Sequence, residues 1–209
     1  MQRLASSRLI QSHRSLIALT NQTDAEEFKM MVKKTSNVPD VRGYAIGPET
    51  VTSLGARRAV GLVAETHPDA VTIYWGSALE NDGRFNTGCP IYPGRMYHVA
   101  SAGFSAVMGY LSKDSVDITI GLAQETGVRI IFAGKSLDGY LAAARYGIND
   151  FLVGSAGDHV RMLSKMAPYN TSFWVLAPAN QHATIHLTRE LRDRPMHLIT
   201  TLLHSYNAP

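Results

Sequence analysis

The sequence predicts an α/β protein: a single globular domain with a mixed sheet and flanking helices, followed by a C-terminal helical extension. Three observations carry that expectation. Short apolar runs at Phe104–Tyr110 and Val128–Ala133 have the length of buried strands, and each leads into a helical pattern. Gly127 and Gly147 stand where helix C-termini favour a left-handed residue. Pro195 interrupts the helical pattern of the tail, because it has no N–H to donate and its ring clashes with the preceding turn.

The first 20 residues hold Arg3, Arg8 and Arg14 among serines, and no carboxylate precedes Asp24. That is the composition of a mitochondrial transit peptide, and it places the protein in the mitochondrial matrix. The same composition also fits an ordinary basic tail, assigned to residues 1–11. Ser15–Leu19 begins the first strand. Asp24 caps a helix through Phe28, Met31 and Val32 that ends in Lys33 and Lys34. Those lysines either complement the helix dipole or contact RNA phosphate. Pro39 ends this segment, Val41–Ile46 is a second strand, and Gly47-Pro48 is a turn. Thr50–Arg58 reads as a helix with Arg57 and Arg58 near its end, and Ala59–Val63 and Ala70–Trp75 are further apolar runs.

Residues 80–94 are rich in Gly, Pro and Asn and read as a loop, either functional or an insertion. Asp114 or Ser115 caps a helix to Glu125 with Val116, Ile120 and Leu122 on one side. Gly134–Gly139 turns the chain into a helix over Tyr140–Arg145. Beyond an apolar run at Thr171–Ala177, Asn180 caps a helical pattern over Gln181–Arg194 that carries Ile185, Leu187 and Leu191. Past Pro195, the residues Met196, Ile199, Leu202, Leu203 and Tyr206 form an apolar stripe at helical spacing.

The 209 residues suffice for one domain with its own core, and 45% apolar content indicates a globular chain. Cys89, the one cysteine, excludes an internal disulfide and an all-cysteine metal site. No apolar run is long enough to cross a bilayer, so no membrane partner is expected. A net charge of +3 permits nucleic-acid contact without requiring it.

Motif tests return no cofactor, metal or catalytic residue. Gly134-Lys135-Ser136 matches the end of a phosphate loop, but the glycine needed five residues earlier is Arg129. His182 and His186 have helical metal-like spacing, but Ala183 stands where a zinc protease needs glutamate. Nothing beside Cys89 marks it as activated.

The order strand, acid-capped helix, strand, Gly-rich turn, short helix, loop, helix and Ala-Pro runs from Phe104 to Ala167-Pro168, with Ile130–Gly139 as the strand and turn. This order resembles the large-subunit ribosomal protein family that anchors the lateral stalk, the L-ten family. The resemblance implies that residues 12–168 dock on large-subunit ribosomal RNA beside an L-eleven-family protein. It also implies that residues 169–209, kinked at Pro195, carry L-seven/L-twelve-family stalk proteins, and that the protein is not an enzyme. Arg3, Arg8, Arg14, Lys33, Lys34, Arg42, Arg57 and Arg58 are then the RNA-contacting candidates. Ile185, Leu187, Leu191, Met196, Ile199, Leu202 and Leu203 are the stalk-binding candidates, in a helix-in-groove mode.

Two other readings stay open. In one, Val128–Gly134 and Gly147–Ala156 are late strands of a pyruvate-aldolase-like barrel, with Lys135 or Lys113 as the Schiff-base lysine. Shortness, about seven strand candidates and the amphipathic tail count against it. In the other, the chain is a non-catalytic subunit of another mitochondrial complex.

Overall fold

The computed structural model describes residues 8–76, 89–134, 136–153, 171–176 and 194–200. In chain order the first elements are β1 (Arg14–Thr20), α1 (Ala25–Ser36), β2 (Val41–Ile46), α2 (Pro48–Leu54), α3 (Ala56–Thr66) and β3 (Val71–Trp75). A two-residue β4 (Pro90–Ile91), α4 (Pro93–Ala102) and β5 (Ala106–Leu111) follow. A 3-10 turn at Lys113–Ser115 leads into α5 (Val116–Thr126), β6 (Arg129–Ala133), α6 (Leu137–Arg145), β7 (Asp150–Val153), β8 (Ser172–Leu176) and β9 (Met196–Thr200).

Every strand pairing is parallel. β1 pairs β2, β2 pairs β3, β3 pairs β5, and the ladder continues through β6, β7 and β8 to β9. β9 then pairs β1, with Leu16 opposite Leu198, and this closes the sheet. The fold is a closed barrel of eight parallel strands with a helical layer outside, and β4 lies on the upper end of β5. This corrects the expected mixed sheet with flanking helices. Parallel strands need crossover connections, and those connections supply the helices.

Alternation along each strand divides two cores. Ile17, Leu19, Ala45, Ile73, Met108, Ile131, Leu152, Trp174 and Ile199 pack inside the barrel. Ala18, Tyr44, Ile46, Val107, Ile130, Phe132, Phe151 and Phe173 pack outward against helix residues such as Phe28, Val63, Val99 and Ala143. Strands covered on both faces read as continuous apolar runs.

Local signals act as their chemistry dictates. Asp24 Oδ1 accepts from the backbone N–H groups of Glu26 and Glu27 at the start of α1. The helix expected over Thr50–Arg58 is divided at Gly55, whose φ of 82° breaks it into α2 and α3. The expected loop over 80–94 ends in Pro93 at the first turn of α4, a helix absent from the sequence reading.

The C-terminal helical extension is corrected at Met196–Thr200, which is strand β9. Met196 faces the helical layer and Ile199 faces the barrel interior. Apolar residues three apart satisfy a helix stripe and a strand buried on both faces equally well. The division at residue 168 likewise does not follow the fold, since β8 and β9 lie beyond it and complete the barrel. Ile185, Leu187, Leu191, Leu202 and Leu203 lie outside the described residues.

The basic tail assigned to 1–11 contributes Ile10 to the core. Ile10 is buried in the barrel-interior cluster with Leu9 against it, ahead of β1 at the N-terminal end of the barrel. Arg3 lies outside the described residues.

Candidate functional site at the barrel mouth

The C-terminal strand ends form one mouth: Thr20, Ile46, Trp75, Leu111, Ala133, Val153, Leu176 and Thr200. In barrels of this type, chemistry is carried on that face, by loops leaving the strand ends.

The opposite end is polar and sealed. Ser15 Oγ and His197 Nδ1 share a 2.8 Å hydrogen bond between β1 and β9. Arg129 Nη2 donates to Asp150 Oδ2 at 2.9 Å, and Trp174 Nε1 donates to Asp150 Oδ1 at 3.1 Å. Burial raises the Asp150 carboxyl above the ordinary carboxylate value, against the opposing pull of Arg129 and Trp174. Burial, with Arg8, Arg14 and His13 nearby, lowers His197 to about 4. His197 and Ser15 are buried at the strand N-termini, so a substrate does not reach them. The group acts as a floor.

A pocket of about 560 Å³ opens beside the mouth, where β5 and β6 end and α5 and α6 begin to part. Tyr110 and Leu111 end β5, Lys113 opens the following turn, and Val116 begins α5. Phe132 and Ala133 end β6, and Gly134 follows it. The α6 wall is Gly139, Ala142, Ala143 and, just past the helix end, Tyr146. Those positions recur at i, i+3, i+4 and i+7, one face of a helix. Within α6 itself that face carries nothing longer than a methyl group to reach towards α5.

The Phe132 ring is fixed as a wall. It meets Tyr140 edge-to-face at 5.4 Å and Phe151 at 6.4 Å. Tyr140 Oη donates to the carbonyl oxygens of Gly134 and Leu152 at 3.1 and 2.5 Å, and burial raises its hydroxyl pKa. A Cβ on Gly134 would come within 2.7 Å of the Phe132 ring, so glycine is required at this close approach.

A second cluster sits where β3 ends and β4 begins. The Arg95 guanidinium contacts Cys89 Sγ, donates to the Pro90 carbonyl at 2.6 Å and lies 5.0 Å from the Tyr92 ring centroid. Burial raises the Cys89 thiol pKa, against the opposing pull of Arg95.

The residues expected to contact RNA do not form one surface of the mouth. Arg8, Arg14, Lys33, Lys34 and Arg42 lie towards the N-terminal end: Arg14 opens β1, Arg42 is second in β2, and the lysines close α1. Arg57 Nη2 donates to the Ser101 carbonyl at 3.1 Å, tying α3 to α4, and Arg58 follows it on α3. His182, His186 and Lys135 lie outside the described residues. Among the described residues no group of three metal-ligating side chains forms, and no helix is long and apolar enough to cross a membrane.

A solved structure shares this fold. It is KGPDC from Streptococcus mutans, solved as a complex, with a TM-score of 0.62 over 88% of this chain and 86% of that one, at 12% identity. No family model matches the sequence, and no curated protein matches it.

The eight-stranded barrel overturns the resemblance to the stalk-base ribosomal family. The implied roles fall with it: the ribosomal RNA contact, the L-eleven and L-seven/L-twelve partners, the structural role in the ribosome and the absence of catalysis. The resemblance rested on element order from Phe104 to Pro168. A β/α barrel produces the same order, because it repeats strand, helix, strand throughout.

The sequence reading met Lys113 only as a barrel alternative, and it did not single out Tyr110, Phe132, Ala142 or Tyr146. The small-residue face of α6 was the available signal.

Proposed function

We propose that this chain is a barrel enzyme that makes or breaks a carbon–carbon bond beside a carbonyl group. The observation that carries this reading is the pocket at the ends of β5 and β6 with Lys113 in its wall. Lys113 is exposed at the edge of that pocket, and a primary amine beside a bound carbonyl suits imine chemistry. Nζ adds to the carbonyl carbon and water leaves, giving a protonated imine. The imine takes up the electron pair of the adjacent carbon–carbon bond as that bond breaks. Carbon dioxide departs from a β-carboxylate, or an aldehyde departs once its β-hydroxyl has given its proton to a base, and an enamine remains. A proton then adds to the enamine carbon, and water hydrolyses the imine to free product and lysine. Tyr110 lines the same pocket, and its hydroxyl is the neighbouring group able to pass protons. The neighbour in fold is a 3-keto-L-gulonate-6-phosphate decarboxylase, which supports carbon–carbon cleavage as the reaction class.

The test is borohydride trapping with pyruvate, phenylpyruvate and a ketose phosphate, read by intact mass and peptide mapping. A reduced adduct on Lys113, lost in Lys113→Met, is the expected result. No adduct with any of the three overturns the imine reading.

The arginine-rich, acid-free N-terminus supports delivery to the mitochondrial matrix. Because Ile10 and β1 build the barrel, any processing site would precede residue 8. A reporter fused to residues 1–20 tests this: mitochondrial import supports it, and a cytosolic signal overturns it.

A further inference from the structure

We infer that the pocket between α5 and α6 selects a carbonyl substrate with a hydrocarbon or aromatic body, not a polyhydroxylated sugar phosphate. This rests on the lysine-dependent reading above and specifies its substrate class.

The walls decide it. Leu111, Val116, Phe132 and the α6 alanines present hydrocarbon. Among the described lining residues, the polar side-chain atoms are two tyrosine hydroxyls and the Lys113 amine. None is a carboxylate, amide, arginine, serine or threonine. A sugar phosphate entering such a space would exchange hydration for unpaired hydroxyls, which disfavours binding. An apolar body loses nothing comparable and gains contact with the ring of Phe132.

Two helix ends meet the pocket, and each carries a carboxylate in its first turn, Asp117 on α5 and Asp138 on α6. At the start of α6, Ser136 Oγ already accepts from the Gly139 N–H at 3.3 Å. A carboxylate in the first turn opposes the attraction of the helix end for an anion. The volume of about 560 Å³ lies within the usual range for small-molecule sites.

The geometry also explains why the space stays open. Gly139, Ala142 and Ala143 are too short to bridge to α5, and Phe132 is held by Tyr140 and Phe151. Among the described residues, no side chain on α6 fills the space.

Calorimetry on the full chain with 3-phenylpropan-1-ol tests the inference without the imine chemistry, because that probe has no carbonyl. The alcohol should bind, and glycerol 3-phosphate should bind at least tenfold more weakly. Ala142→Trp, at an exposed helix position, should weaken alcohol binding at least tenfold. Val116→Asn should do the same by placing an amide in the wall, which keeps the test valid if the tryptophan variant misfolds. Tighter binding of glycerol 3-phosphate, no alcohol binding, or folded variants that bind the alcohol normally would each overturn the inference. Alcohol binding without borohydride trapping would instead overturn the imine reading, and with it the carbonyl assigned to the substrate, while leaving the preference for an apolar body.

Discussion

Ser15 and His197 stand 182 positions apart in sequence, yet their side chains meet at 2.8 Å inside the barrel. The contact joins the first strand to the last at the seam where the sheet closes. The His197 ring also lies 4.6 Å from the ring of Trp174. Its Nε2 has no hydrogen-bond partner among the described residues.

That arrangement makes stability depend on acid. Burial holds His197 near 4, below its ordinary value of 6.5. Between those values the unfolded chain binds a proton that the folded chain refuses, so stability falls as pH drops from 6.5 towards 4. The shift corresponds to about 3 kcal/mol. Asp150 has the opposite sign, since its raised carboxyl makes folding more favourable on acidification. Urea denaturation of wild type and His197→Gln separates the two contributions. The variant should lose the fall between pH 6.5 and 4, and an unchanged pH profile would exclude His197 as its source.

Gly109 is fixed by a backbone neighbour. A Cβ there would lie 2.4 Å from the Cys89 carbonyl oxygen and 3.0 Å from the Ile91 side chain. Cys89 O also accepts from the Tyr110 N–H at 3.1 Å, so it cannot withdraw without breaking the β4–β5 pairing. Gly109→Ala is expected to destabilise the protein by about 1–3 kcal/mol. Chemical denaturation midpoints measure this. The variant should also make the buried Cys89 thiol react faster with a small alkylating reagent than it does in wild type.

Ile10 is a structural residue of the barrel floor, only 6% exposed. Removing residues 1–7 should leave the melting temperature unchanged. Ile10→Ala should lower stability by about 2–4 kcal/mol, the range for deleting a buried aliphatic side chain. Thermal melts of the two proteins, compared with wild type, check both statements. Equal melting temperatures for all three would show that the segment does not close the floor.

Much of the local structure is legible in the sequence. The Asp24 cap, the strands at Val41–Ile46 and Val128–Ala133, and the glycine stop at Gly127 depend on neighbours within a few residues. Gly127 has φ 74°, the left-handed conformation that its position after α5 demands. The failures are of another kind. Met196 and Ile199 carry the same spacing in a helix as in a strand buried on both faces, so the stripe alone points to a helix at Met196–Thr200. Lys113 and Tyr146 belong to different strand–helix units of the barrel, and no spacing in the chain shows that they line one pocket.

The sequence by itself determined the alternation of strand and helix, the caps and the apolar content, because these follow from contacts between residues close in the chain. Only the tertiary structure decided that the strands close into a ring. Closure depends on the pairing of Arg14–Ala18 with Met196–Thr200, across almost the whole chain. That pairing depends on strand tilt and register summed over eight neighbours. An element order shared with an unrelated fold carries no trace of that sum. The same closure turned Ile10 and Ile199 inward and placed Lys113 beside an apolar pocket.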